Sequence, residues 1–332
     1  MIYCSATNKF KTSICELDQE LSIAISCAWS KGTIKTRNSQ WNKFLCFCQD
    51  NALIPLPASD IDVCRFLVFL SRTCKFSTID NYLSAIISLQ KYHGYDPSYR
   101  DCYLIKLLMS GLKNQLGTAT KPKLPLSIEQ LSAMYNHVNL SDPNQVTLWA
   151  ALLFCFRTML RKCNVVPDGA NEEHLIKRKD IELTANGILV KIYSSKTIRH
   201  KERVLKIPIN YVSKQGFCAA SMLLSHFLRC PGGNESNLFY LTKANGLIPV
   251  KYKDLLDFMK KLVSFIGLDP KDFGLHSLRR AAATFYHQIG LSLSDIMILG
   301  DWRSLSVFEY IMLPEQRKSS IETYVSYRLA NM

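Results

Sequence analysis

A proline-interrupted segment about a third of the way along the sequence constrains most strongly how this chain can fold. Residues 117–125 have the sequence Gly-Thr-Ala-Thr-Lys-Pro-Lys-Leu-Pro, which is polar and basic. Because proline fixes φ and has no backbone N–H, such a segment is typical of an extended linker. The chain has 332 residues, 48% of them hydrophobic, which is enough to bury a core on each side. We therefore predict two domains, residues 20–116 and 126–332, joined by a linker at 117–125.

The part before the linker has the pattern of a helical bundle. Apolar side chains between residues 33 and 49 recur at intervals of three and four, which defines one buried helix face. Further helices are predicted over residues 61–72, 77–94 and 103–116. Ser77-Thr-Ile-Asp80 has the spacing of a capping box that would begin the third helix. No strand pattern is present, so we predict an all-helical domain.

The part after the linker mixes two periodicities. Ser127-Ile-Glu-Gln130 predicts a capped helix start. Residues 187–193 and 204–209 are rich in Val and Ile and flank a polar, basic turn, which is the pattern of a β-hairpin. The other elements are predicted helices, at residues 144–160, 214–229, 250–266, 277–289 and 292–300. The predicted fold class is mainly α with one small β-sheet, an α+β arrangement.

The charge balance favours a polyanionic partner. The chain has 41 Lys and Arg against 27 Asp and Glu, a formal net charge of +14. Nucleic acid is the first candidate partner and an anionic membrane surface the second, although a basic enzyme with a solvated surface fits equally well. The most apolar run, residues 146–156, is too short to span a bilayer. No secretory signal is visible, so we expect an intracellular protein without a membrane segment.

Twelve cysteines are spread through apolar segments without a Cys-X-X-Cys pair. Cys46 and Cys48, the closest two, would lie on different faces of a helix, which argues against a shared zinc ion. We expect small buried thiols in a reducing compartment. The chain has no P-loop, no G-x-G-x-x-G, no H-E-x-x-H and no dense acidic cluster. We therefore predict neither a metal nor a cofactor.

One histidine-containing segment could bind a phosphate. His276 and Arg279 are three residues apart in a predicted helix, so their side chains face the same way. Arginine offers a planar pair of donors, and histidine a donor that can also transfer a proton. Taken alone, a histidine at a helix start and a surface arginine explain this spacing better.

Three C-terminal segments occur in an order that is informative. They are Leu-His276-Ser-Leu-Arg279-Arg-Ala-Ala-Ala-Thr, then Ile-Leu-Gly-Asp301-Trp302, then Tyr310 nine residues after Asp301. This order resembles the catalytic region of the tyrosine recombinases, the phage integrase family.

Two upstream segments and the helical domain agree with that resemblance. Leu-Arg161-Lys-Cys-Asn-Val-Val-Pro looks like the segment of the family's first catalytic arginine, and Ser-Lys196-Thr occupies the predicted hairpin tip, where the family has its lysine. The helical domain is similar to the family's core-binding domain. The resemblance therefore covers nearly the whole chain from about residue 20. The Arg161 segment and Gly-Asp-Trp-Arg-Ser look most like eukaryotic mobile-element recombinases, the Crypton and DIRS-like group.

The resemblance implies a DNA strand transferase that needs no metal ion or ATP. In this family a tyrosine attacks a DNA phosphodiester, which gives a 3′-phosphotyrosyl link and a free 5′-hydroxyl, and a 5′-hydroxyl later reverses the step. By position, Tyr310 would be the nucleophile, and Lys196 would protonate the leaving oxygen. Arg161 and Arg279 would hold the non-bridging oxygens, and His276 would be a second acid or base.

Two positions depart from the family pattern. Asp301 stands where histidine or tryptophan donates a hydrogen bond to the phosphate, which an ionised carboxylate cannot do. Asp301 could orient a neighbour such as Arg279, Trp302 Nε1–H could replace the donor, or activity could be reduced. Asn164 stands where many members have an acidic residue, which would weaken the support of neighbouring catalytic side chains.

The resemblance also implies partners. Double-stranded DNA is the substrate, and other copies of the chain would join it in a tetrameric synapse, in a eukaryotic nucleus or otherwise in the cytoplasm. Basic linker and hairpin residues are candidate contacts to the DNA backbone, although each could be a solvated surface charge: Lys121, Lys123, Arg199, Lys201 and Arg203.

Three alternatives stay open. A domesticated, catalytically silent DNA-binding protein would have the same fold, and Asp301 favours it. A type IB topoisomerase would share the chemistry but act alone. Tyr324 and Tyr327 are rival nucleophiles, which the family spacing from Asp301 to Tyr310 disfavours.

Overall fold

The computed structural model describes residues 13–119, 122–167, 172–198, 200, 202–311 and 315–330, with side chains from 322 onward in the last range. The chain divides into two compact units, Met1–Lys121 and Pro122–Met332, and this boundary falls within residues 117–125. None of the described helices combines the length and the apolarity that a membrane crossing requires.

The first unit is helical throughout its described part. Its helices are α1 (Ile14–Ser26), α2 (Lys31–Asp50), α3 (Asp60–Ser71), α4 (Phe76–Tyr92) and α5 (Tyr103–Leu116). Helices α2 to α5 enclose a core in which Phe44, Phe66 and Ile79 are fully buried, which confirms the predicted amphipathic faces. The predicted capping box at 77–80 is wrong, since α4 begins at Phe76 with Lys75 as an N-cap that makes no side-chain bond. Phe76 packs against this core, and the helix therefore starts before Ser77.

The second unit is built around one buried helix. Its helices are α6 (Ile128–Tyr135), α7 (Pro143–Thr158), α8 (Lys162–Val165), α9 (Ala219–Arg229), α10 (Tyr252–Phe265), α11 (Leu275–Gln288), α12 (Leu293–Gly300) and α13 (Glu315–Ala330). Ser127 caps α6 in a capping box with Gln130, as predicted. Helix α7 is apolar around its whole circumference and is surrounded by α9, α10 and α11, as expected for a core helix.

Two small sheets accompany these helices. Strands β1 (Ile181–Thr184), β2 (Gly187–Ile192) and β3 (Leu205–Asn210) form an antiparallel sheet with β2 in the centre, and β4 (Tyr240–Lys243) pairs with β5 (Gly246–Pro249). The β2–β3 hairpin confirms the prediction. The expectation of a single sheet is wrong, because β4 and β5 form a second one. These two strands and β1 are only four residues long, so each offers no more than the shortest run in which a strand pattern can be recognised.

The cysteines fit the sequence expectation only in part. All of those described are free thiols, and five are buried: Cys48, Cys64, Cys155, Cys218 and Cys230. Cys15, Cys27 and Cys46 are exposed because they lie on the solvent faces of α1 and α2 or just after α1. Their predicted burial is therefore wrong.

His226 makes the stability of the second unit depend on pH. Its fully buried ring accepts the Tyr240 N–H at Nε2 (3.1 Å), and Nδ1 lies 3.0 Å from Thr147 Oγ1. Burial, followed by the charges of Arg178 and Arg229, lowers the pKa of His226 from 6.5 to about 4. Below pH 6.5 the unfolded chain binds a proton here that the folded chain does not, so stability falls as the pH falls toward 4.

We expect His226 to lower the free energy of unfolding by about 2 kcal/mol between pH 7 and pH 5. Urea titrations at both pH values measure this loss. His226→Gln has no titrating group, so its free energy of unfolding should change less with pH than that of the wild type. An equal pH dependence in both proteins would contradict the prediction.

Candidate active site

Tyr310 and His276 form a hydrogen-bonded pair at the start of α11. His276 lies in the first turn of that helix, and Tyr310 directly follows a short 3-10 helix, Leu305–Glu309. The Tyr310 hydroxyl lies 2.8 Å from His276 Nε2, and the two ring centroids are 5.0 Å apart. A neutral imidazole with its proton on Nδ1 accepts the tyrosine proton at Nε2. This pair has the geometry of a nucleophile and its base.

The surroundings of His276 favour its neutral form. Desolvation, followed by the positive charges of Arg279, Arg161 and Arg280, lowers the pKa of His276 from 6.5 to about 4. The residue is nevertheless still solvent-exposed, so an anion can approach it. At neutral pH His276 is therefore an acceptor for the Tyr310 proton.

Arg279 lies one turn further along α11 and is buried. Its guanidinium donates to Met159 O and to Gly300 O (2.7 Å), the carbonyls at the ends of α7 and α12. The guanidinium carbon is 3.8 Å from the ring centroid of Trp302 and 5.5 Å from that of Tyr310. Burial and the charge of Arg161 lower the pKa of Arg279, but a guanidinium stays protonated in proteins. The site therefore contains a fixed buried cation beside the Tyr310 ring.

Arg161 lies in the segment that joins α7 to α8. It is the N-cap residue of α8 and is half-buried. Its charge lowers the pKa of both His276 and Arg279, so it lies close to both. Its backbone carbonyl accepts from Asn164 N–H (2.9 Å), but its guanidinium forms no hydrogen bond or ion pair with the described residues. The structure therefore brings Arg161, His276, Arg279 and Tyr310 together, and the Arg161 guanidinium is available to an anionic ligand.

Lys196 lies at the tip of the β2–β3 hairpin and is exposed. The turn around it is closed by paired backbone hydrogen bonds between Ser195 and Ile198 (3.1 Å each). The neighbouring Thr197 contacts Asp301 at the end of α12. The lysine-bearing turn is thus joined to the segment that precedes Trp302.

Asp301 makes contacts that the sequence did not predict. Its carboxylate accepts hydrogen bonds from Thr197 Oγ1 and from Arg203, with which it forms an ion pair. It makes no hydrogen bond to Arg279 within the described part of the chain, so the neighbours that it orients by hydrogen bonds are Thr197 and Arg203. The carboxylate is directed to the hairpin because both of its donors lie there.

Trp302 packs inside the site. Its ring lies under the Arg279 guanidinium and meets the Tyr310 ring edge to face, with centroids 5.1 Å apart. Its Nε1 is buried and has no hydrogen-bond partner among the described atoms. A buried N–H without a partner costs free energy, so it is a candidate donor to a ligand. The role predicted for Trp302 as a phosphate donor stays a prediction.

Sequence reasoning missed two residues that hold Tyr310 in place. Arg280 donates to Glu309 O, and its guanidinium carbon is 6.0 Å from the Tyr310 ring centroid. Thr284 donates to Tyr310 O (3.3 Å). Positions 276, 280 and 284 follow one another at intervals of four, so they share one face of α11. That spacing was the available signal.

The candidate DNA contacts are only partly described. Lys121, Arg199 and Lys201 lie outside the described residues. Lys123 donates to Lys271 O, and Arg203 is paired with Asp301. Among the side chains that the structure describes, no group of three metal-ligating residues could hold an ion.

Asn164 connects the Arg161 segment to the end of β2. Its fully buried side-chain amide donates to His174 O (2.9 Å) and Ser194 O (3.3 Å). Two carbonyl acceptors require a donor, which an amide supplies and an ionised carboxylate does not. Asn164 thus supplies the hydrogen-bond donors that these two carbonyls require, which an ionised acidic residue could not do.

We expect Asn164→Asp to lower the free energy of unfolding by about 3 kcal/mol at pH 7, because a buried carboxylate would face two carbonyl oxygens. The loss should shrink at pH 5, where the acid is protonated more readily and can donate. Urea titrations at both pH values measure this. Asn186→Asp, at an exposed turn, is the matched control. Equal stability of the two variants would contradict the explanation.

The chain resembles known recombinases and integrases in sequence and in fold. No protein-family model matches the chain. An integrase/recombinase xerD homologue from Selenomonas ruminantium is 24% identical over 272 residues, which are 80% of this chain and 76% of that protein.

Two solved integrase structures share the fold. The Tn1549 transposon integrase in complex with transposon right end DNA is 17% identical, covers 96% of this chain and 100% of its own, and has a TM-score of 0.60. A lambda integrase dimer bound to a COC′ core site is 16% identical, covers 90% and 95% of the two chains, and has a TM-score of 0.58. The chain is thus similar over four fifths of its length to an integrase/recombinase homologue, and it has the fold of integrases that are bound to DNA.

Proposed function

We propose that this protein breaks and rejoins DNA strands in site-specific recombination or integration, through a 3′-phosphotyrosyl intermediate on Tyr310. The observation that supports it most directly is the 2.8 Å contact between the Tyr310 hydroxyl and His276 Nε2, beside the Arg279 guanidinium. The xerD homologue is named an integrase/recombinase, and both structural neighbours are integrases bound to DNA. The net charge of +14 suits a DNA substrate.

The proposed step balances with the residues present. Tyr310 Oη forms a bond to phosphorus while its proton passes to His276 Nε2, and the bond from phosphorus to the 5′-oxygen breaks. The 5′-oxygen takes a proton from Lys196 Nζ. Arg161 and Arg279 stabilise the charge of the five-coordinate transition state. The reverse reaction, with a 5′-hydroxyl as the attacking group, returns each proton to its origin.

The bound phosphodiester itself improves His276 as a base. In the DNA-free protein the arginine charges contribute to the lowered pKa of His276. A phosphate held by Arg161 and Arg279 adds a negative charge beside the imidazole, which raises its pKa. Proton transfer from Tyr310 thus becomes more favourable when the substrate is in place.

A catalytically silent DNA-binding protein is the second candidate function. The observation that favours it is Asp301, whose carboxylate faces the hairpin and supplies no donor for a phosphate. The clustering of Arg161, His276, Arg279 and Tyr310 favours the enzyme. A covalent adduct with DNA separates the two functions.

The experiment selects the substrate and tests the chemistry together. The protein is incubated with a pool of nicked duplexes with randomised arms, in EDTA and without nucleotide, and then denatured. Protein-linked DNA is sequenced, and the linked peptide is mapped by mass spectrometry. We expect a phosphotyrosyl peptide that contains Tyr310. Salt-sensitive binding without any adduct would overturn the proposal in favour of the silent binder.

Assembly and origin complete the proposal. We expect copies of the chain to associate into a tetrameric synapse on the recovered duplex, which sedimentation measures, whereas a type IB topoisomerase would stay monomeric. We expect the protein to act in a nucleus or in the cytoplasm, and to recombine the DNA of a mobile element. The narrower likeness to the Crypton and DIRS-like group stays a prediction.

A further inference from the structure

A continuous chain of hydrogen bonds runs from the lysine-bearing turn to the end of α12. Ser195 Oγ, which is buried, accepts the backbone N–H groups of Thr197 and Ile198 (3.1 Å each). It lies 2.9 Å from Thr197 Oγ1, which donates to the Asp301 carboxylate. Because the Thr197 proton goes to Asp301, the Ser195 hydroxyl donates to Thr197. Every bond therefore points toward the carboxylate.

The second carboxylate oxygen holds the other side of the hairpin. Asp301 Oδ1 accepts from Arg203, which lies just before β3. A weaker contact of 3.4 Å joins Glu202 to Arg303, both of them solvent-exposed. One carboxylate thus receives donors from both arms of the hairpin that bears Lys196.

Asp301 is itself fixed relative to the catalytic cluster. It ends α12 in the left-handed conformation, with φ 54° and ψ 47°. The preceding Gly300 accepts from Arg279, and the following Trp302 packs against Arg279 and Tyr310. The two residues that flank Asp301 therefore both contact the catalytic cluster. The Asp301 carboxylate also binds Thr197, which is the residue next to Lys196.

We propose that Asp301 is a positioning residue, which fixes the Lys196-bearing turn to the end of α12 so that Lys196 is held at the scissile phosphate. This inference rests on the proposed function and assigns position 301 a role that requires two accepting oxygens. A neutral histidine has at most one acceptor nitrogen and a tryptophan has none, so neither residue could hold both donors.

The test distinguishes protonation of the leaving 5′-oxygen from stabilisation of the phosphate in the transition state. Asp301→Asn is suited to it because asparagine tolerates the left-handed conformation, and its amide retains only one acceptor oxygen. We compare cleavage of the recovered duplex with cleavage of the same duplex containing a 5′-bridging phosphorothiolate. A thiolate leaves without protonation, so that substrate does not depend on the position of Lys196.

For Asp301→Asn we expect cleavage of ordinary DNA to fall roughly 10- to 100-fold, as for a misplaced general acid. Cleavage of the phosphorothiolate should stay within about threefold of the wild-type rate, since it needs no acid. Thr197→Val should show the same pattern. Asp257→Asn, at an exposed position of α10, is the matched control and should behave as wild type. An equal loss with both substrates, or no loss with either, would overturn the proposal.

A second measurement does not depend on catalysis. In Asp301→Asn, the Thr197 and Ile198 amides should exchange with deuterium roughly tenfold faster than in the wild type and in Asp257→Asn, because local opening becomes easier. An unchanged exchange rate of these two amides would contradict the proposal that Asp301 restrains the hairpin. If the wild type forms no adduct, the proposed function fails, and this comparison alone decides whether Asp301 restrains the hairpin.

Discussion

Tyr310→Phe should abolish the covalent adduct, a loss of at least about 10⁴-fold, as for removal of a nucleophile in other enzymes. Phenylalanine keeps the ring that packs against Trp302 and His276 and removes only the hydroxyl. Stability should therefore change by about 1 kcal/mol, the value of one hydrogen bond. DNA affinity should stay the same, because the basic residues are unchanged. Adduct yield, urea titration and salt-dependent binding measure the three quantities.

Tyr324→Phe is the matched control for this variant. Tyr324 is exposed on α13 and was a rival nucleophile by sequence, so its replacement should leave the adduct yield unchanged. An adduct that persists in Tyr310→Phe and disappears in Tyr324→Phe would assign the nucleophile to the tail. The His276–Tyr310 contact would then be a structural hydrogen bond.

Replacement of Arg279 should have the next largest effect, on catalysis and on stability together. In Arg279→Lys the charge remains, but one ammonium cannot donate to both Met159 O and Gly300 O and still face a phosphate. We expect cleavage to fall about 10³-fold and the free energy of unfolding to fall by roughly 3 kcal/mol, because a buried carbonyl loses its charged donor. Single-turnover cleavage and urea titration measure these losses.

Arg161→Gln provides the contrast. The Arg161 guanidinium makes no hydrogen bond or ion pair to the residues described around it, and its charge lowers the pKa of both Arg279 and His276. Its removal should lower cleavage by about 10²- to 10³-fold while stability stays the same or rises slightly, because repulsion is relieved. If Arg161→Gln destabilised the fold as much as Arg279→Lys does, the division of roles between the two arginines would be wrong.

Helices could be predicted from the sequence where a local pattern marks them. The stripe of α2 and the capping box of α6 are local patterns, and both appear in the fold. The start of α4 was missed because it depends on the packing of Phe76 against other helices. Strands β1, β4 and β5 were missed because each is only four residues long and depends on pairing with a neighbouring strand.

The sequence by itself determined which residue types stand in the family's order: the arginines, the lysine, the histidine and Tyr310. Only the tertiary structure decided which of them meet and what each one contacts. The Arg279 guanidinium donates to two backbone carbonyls, whereas that of Arg161 has no such partner among the described residues. The Asp301 carboxylate accepts its hydrogen bonds from the hairpin. The physical reason is that spacing along a chain fixes the face of one helix, whereas hydrogen bonds between α12, α7 and a distant hairpin depend on how separate elements pack.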